Sequence, residues 1–119
     1  MPTISKDHLS GSTDGAPVAL AINTGTFTTI HTGPSDTGAY HELWVWGCNA
    51  IGTGDETVTL RIGGTGNSNK IKATIAPNET VLLIPGIPIQ GNGTPVVLDG
   101  ASTTADKVNV FGYVNKISS

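Results

Sequence analysis

The chain has 119 residues, enough for a single domain with a folded surface of about 6,000 Å² and one modest core. With a net charge of −3 and only 13% Asp, Glu, Lys and Arg, it lacks the basic footprint that nucleic-acid binding requires. Sixteen glycines and seven prolines among plentiful aliphatics exclude a highly charged disordered chain, and no run approaches the roughly twenty apolar residues of a membrane-spanning helix.

Residues 1–16 carry Ser, Thr, Gly and Asp around two isolated apolar residues, Ile4 and Leu9. They also lack the basic start and apolar stretch of a secretion leader, so synthesis in a cytoplasm is expected. With so little to bury, this stretch is expected to be an extended arm that a partner orders. Residues 17–22 suit one short strand before the turn at Asn23-Thr24-Gly25. The division expected is an arm over 1–25, contributing at most one strand, and a β domain over 26–119.

From residue 26 onward, short runs alternate between apolar and polar residues, and each is closed by Gly, Pro or Asn. Successive side chains of a strand point to opposite faces, so such runs predict strands that are buried on one side. Residues 26–31 form the first, and residues 41–48 the strongest, rich in aromatic and β-branched types. The faces of that strand are His41, Leu43, Val45 and Gly47 against Glu42, Trp44, Trp46 and Cys48. Residues 57–62 and 70–75 follow, joined by the glycine-rich hairpin tip of residues 63–69.

A turn at Pro77-Asn78-Glu79 leads into residues 80–84. The stretch Pro85-Gly86-Ile87-Pro88-Ile89 must lie on an edge or in a connection, because proline cannot donate to a central ladder. Residues 95–98 and 107–117 complete about eight strands, and no segment has helical periodicity. The predicted fold is all-β: a single antiparallel β-sandwich or jelly roll.

No residue set in the chain spells out a reaction. The glycine tract fails as a phosphate loop, because Asn69 and Ile71 flank Lys70 where Gly and Ser or Thr are required, and no helix follows. His8, His31 and His41 have no paired ligand spacing. The single cysteine, Cys48, is expected as a small buried thiol and supplies no zinc pair. Asp55-Glu56 is an adjacent pair that points apart in an extended chain and lacks a calcium loop's spacing. No catalytic, cofactor or metal residues are assigned.

Trp44 and Trp46 share one strand face. If Leu43 and Val45 face the core, the tryptophans form a paired aromatic patch at the surface. The alternative places them in the core, and both readings stand at this point. A sugar-stacking platform is a third use of the same geometry.

The order of cues resembles the head decoration (cement) proteins among the small virion proteins of tailed bacteriophages. Those cues are a long strand ending in Gly47-Cys48-Asn49, a Gly-rich loop with Asp55, then residues 57–62. Next come Ile75-Ala76-Pro77-Asn78-Glu79-Thr80-Val81 and Pro85-Gly86-Ile87-Pro88-Ile89-Gln90-Gly91, and a closing Val108-Asn109-Val110-Phe111-Gly112-Tyr113-Val114. The resemblance covers residues 39–117. It implies a non-enzymatic, capsid-bound and often trimeric sandwich on the head exterior, with the major capsid protein as partner and no catalytic residues. Trp44, Trp46, Ile4 and Leu9 are the expected interface residues. A tail or baseplate component, and a carbohydrate-binding β-sandwich module using Trp44 and Trp46, are the alternatives.

Overall fold

The structure, a computed structural model, describes residues 3–51 and 53–118. Among the described residues ten strands follow in order: β1 (Thr3–His8), β2 (Val18–Ala19), β3 (Ala21–Ile22), β4 (Thr28–Thr32) and β5 (Tyr40–Asn49), then β6 (Glu56–Ile62), β7 (Lys70–Ile75), β8 (Thr80–Gln90), β9 (Val97–Ser102) and β10 (Val108–Ser118). A single 3₁₀ turn, Asn67–Asn69, closes the glycine tract before β7. There the Asn69 side chain donates to the Ile62 carbonyl at 2.8 Å and holds the tip.

The strands form two sheets packed as a β-sandwich. The first has the order β1-β10-β5-β8 with β2 also on β10, and the second has the order β3-β9-β6-β7 with β4 also on β9. Every pairing is antiparallel except the two-residue contact of β3 with β9. The eight longer strands pair in nested fashion: β6 with β7, β5 with β8, β4 with β9, and β1 with β10. Successive pairs alternate between the sheets, so the chain is a ribbon doubled at the β6–β7 hairpin and rolled up.

The aliphatic alternation places the core between the sheets. Leu43 and Val45 of β5, Val58 and Leu60 of β6, and Val108, Val110 and Val114 of β10 are all buried there. The folded surface is 6085 Å². The prolines of residues 85–89 lie, as their chemistry requires, on the edge strand β8. The ladder to β5 shifts register twice beside them, between Leu43 and Trp44 and between Val45 and Trp46.

The N-terminal third differs from expectation. Residues 17–22 make two short strands instead of one, because the chain crosses between the sheets at the buried Leu20. The backbone N–H of Leu20 donates to the Val108 carbonyl at 2.9 Å. Residues 3–8, expected as a partner-ordered arm, pair instead with residues 113–118 of the chain's own last strand. All six are exposed, so backbone hydrogen bonds hold an edge strand that buries almost no side chain.

Leu9 ends that exposure, because it is completely buried in the core cluster. Its role as an isolated interface residue is therefore corrected. A lone leucine in a polar segment still fills core space where the chain turns inward. Leu9→Ala should cost about 2–5 kcal/mol in chemical denaturation, the range for a buried leucine truncation, while Ile4→Ala should stay within about 0.5 kcal/mol. Equal effects of the two substitutions would remove residue 9 from the core.

Candidate interaction surface

With Leu43 and Val45 turned inward, the alternation of β5 sends Trp44 and Trp46 to the outer face of the first sheet. Register then adds neighbours. On β10, Tyr113 lies opposite Trp44 and Phe111 opposite Trp46, and on β8 Leu82 lies opposite Trp46 and Pro85 opposite Trp44. Residues directly opposite in an antiparallel ladder share a face, so four aromatic side chains from two central strands meet.

The rings pack in the offset near-parallel manner that aromatic pairs favour. Trp44 and Trp46 have centroids 6.4 Å apart at 24°. Trp44 and Tyr113 lie 6.3 Å apart at 16°, and Trp46 and Phe111 lie 6.2 Å apart at 13°. All four side chains are half-buried by one another. The Lys6 ammonium stands 4.6 Å above the Tyr113 ring, closing the cluster on the β1 side.

Trp44 is the fixed member. Its Nε1–H donates to Glu42 Oε1 at 2.7 Å, and Asn115 Nδ2 donates to the same oxygen at 3.0 Å. These two hydrogen bonds, the tryptophan's first, hold the Glu42 carboxyl below its usual range. Beneath the indole is Gly86, with φ of 74°. A Cβ there would come 2.7 Å from Trp44 Cζ2, so glycine both permits the bulge and makes room for the ring.

Apolar side chains extend the patch. Ile4 is 70% exposed and Leu82 44%. Ile4 pairs with Ile117, which pairs with Tyr40, forming an apolar row across three strands on the same face. Of the expected interface residues, Trp44, Trp46 and Ile4 thus share the outer face, and Leu9 does not. Phe111 and Tyr113 went unassigned, although the alternation Val108, Val110, Val114 already placed them opposite the core. Cys48, expected to be buried, is half-buried on this same outer face.

The opposite sheet carries a shallow cleft of about 410 Å³ between residues 63–65 and 94–97. Asp99 also lines it, but its carboxylate is held by Arg61 through two hydrogen bonds of 2.8 and 2.7 Å. The Arg61 guanidinium in turn stacks 3.7 Å over the Phe27 ring. Glu56 is buried apart from its exposed neighbour Asp55 and accepts from the backbone N–H and the hydroxyl of Thr104 at 2.8 and 3.1 Å. Among the described residues, no three His, Cys, Asp or Glu side chains converge as a metal-binding group, and no helix is long and apolar enough to cross a membrane. His31 and His41, ten residues apart and on different sheets, do meet, with ring nitrogens 2.8 Å apart.

The chain matches no protein-family model and no curated protein.

Proposed function

We propose that this chain is a non-enzymatic structural protein of a phage virion, a decoration protein that stabilises the head from outside by binding the major capsid protein and copies of itself. The observation that carries this reading is the outer aromatic face: Trp44, Trp46, Phe111 and Tyr113 on two central strands, extended by Ile4 and Leu82. A contiguous apolar face with aromatic anchors and a polar rim is the usual composition of a protein contact. The nested ribbon pairing supports the jelly-roll form of the sandwich that the resemblance implies, and the trimer rests on that resemblance.

The chemistry would be additive contact. Burial of the aromatic face supplies affinity, and the edge strands β1 and β8 lie beside it to extend the contact. Mass spectrometry of purified virions should find the chain in head fractions, and sedimentation of the isolated protein should give a trimer. Presence in tail fractions only would move the assignment to the tail or baseplate. Absence from virions, with glycan binding that Trp46→Ala abolishes, would replace it by the carbohydrate-binding module.

A further inference from the structure

The N-terminal segment is tied to the body through a pair of histidines. The Ser10 backbone N–H donates to His31 Nδ1 at 2.9 Å, and His31 Nε2 lies 2.8 Å from His41 Nδ1. A backbone N–H can only donate, so His31 Nδ1 must accept. The remaining proton of neutral His31 is then on Nε2 and is donated to His41 Nδ1, which leaves the proton of His41 on Nε2. This chain of donors runs in one direction and has no place for another proton. A proton on His31 Nδ1 would face the Ser10 N–H, and one on His41 Nδ1 would face the His31 N–H.

Around this joint the segment divides into two parts. Residues 10 and 11 are lashed to the body: Ser10 Oγ accepts the Thr32 N–H at 2.8 Å, and the Gly11 N–H donates to the Ile30 carbonyl at 2.8 Å. Residues 3–8 have every side chain exposed and depend on the β10 ladder, with one ion pair between Asp7 and Lys116 at 3.0 Å.

We propose that the Ser10–His31–His41 chain is an acid-operated latch: protonation of the histidine pair detaches residues 3–12, Leu9 leaving the core with them, while β10 stays paired with β5 and its other edge opens over residues 113–118. His31 is 1% exposed and spans the gap between β4 of one sheet and β5 of the other, so its added charge cannot be solvated without movement. The charged groups that face the pair are Lys116 of β10, which opposes protonation, and Asp7 of β1, which favours it. The hydrogen bond from Lys116, with that from the His8 N–H, keeps the Asp7 carboxyl below its ordinary range, so Asp7 itself does not titrate where the histidines do.

The direction follows from linkage. Burial, with the neighbouring His41 and Lys116, lowers His31 from 6.5 to about 4, and burial lowers His41 too. A group depressed in the closed state favours closure above its free value of 6.5 and loses that contribution as pH falls toward 4. For His31 alone the opening constant should rise about 50-fold between pH 7 and pH 4.5.

Hydrogen exchange of the full chain, expressed as protection factors corrected for intrinsic rates, reads this directly. Amides of residues 3–12 should lose protection about 50-fold at pH 4.5, while β5, β6 and β9 keep theirs. His31→Asn retains an acceptor for the Ser10 N–H without titrating, and should abolish the acid response. Asp7→Asn should leave that response in place. If His31→Asn does not fold, NMR titration of the wild-type imidazoles decides the matter, because His31 protonation and the opening of residues 3–12 must then share a midpoint. Unchanged protection at pH 4.5, simultaneous loss across the whole sandwich, or the same acid loss in His31→Asn would each overturn the latch.

Discussion

Gly112→Ala should be strongly destabilising. A Cβ on residue 112 would fall onto the carbonyl oxygen of Trp44, 2.9 Å from its carbon and 3.1 Å from the Val45 Cα. All three are backbone atoms of the adjacent strand, so no side chain can rotate to make room. Strands β5 and β10 would have to part along the ladder that joins them from Val108–Asn49 to Ile117–Tyr40 at the centre of the first sheet. Forced separation of packed backbone and overpacking together suggest a loss of roughly 3–5 kcal/mol. That is most of the stability of a domain at the lower end of the typical range of about 5–15 kcal/mol.

The measurement is a urea midpoint at constant slope. Gly25→Ala is the matched control: its Cβ would meet Ile22 at 3.7 Å, an ordinary contact, and should shift stability by less than about 0.5 kcal/mol. A cost below about 1 kcal/mol at Gly112 would mean that the two central strands separate easily, and that the aromatic rows they carry are not held in register by close backbone approach.

How much of this was legible depended on whether the signal was local. Period-2 alternation is local, so residues 57–62 and 70–75 read directly as the paired strands β6 and β7. The two faces of β5 could be written down from its sequence, and the proline rule limited residues 85–89 to an edge or a connection. The N-terminal segment was not legible, because an edge strand with six exposed residues has no alternation to read. Leu9 and Leu20 carry its packing singly, and a single apolar residue has no period.

The site was half visible for a related reason. Trp44 and Trp46 stand two apart on one strand, a spacing that sequence shows. Their pairing with Phe111 and Tyr113 joins residues more than sixty positions apart through strand register. The joint of His31 with His41 spans only ten positions but is equally hidden from strand spacing, because it bridges the two sheets. Spacing arguments look for ligands on one turn or strand and pass over such a pair.

Trp46→Ala should separate the interface from the core. Trp44 is the poorer test, because its indole also covers Gly86 and donates to Glu42, so its loss would disturb β8 and Asn115 together. Trp46 touches the aromatic partners Trp44, Phe111 and Tyr113 on the outer face. Its truncation should cost about 1–2 kcal/mol of stability through lost stacking and partial burial. On the proposed function, the same change removes a central aromatic anchor and should weaken attachment to undecorated capsids by about 30-fold or more, measured as a Kd by co-sedimentation. The neighbouring Leu43→Ala points the other way: it should cost about 2–5 kcal/mol of stability, while any protein that still folds binds with near-native affinity. Two residues three positions apart on one strand would then report on different sides of the sheet. Native attachment by a folded Trp46→Ala variant would take the aromatic face out of the contact and leave the exposed strand edges to carry it.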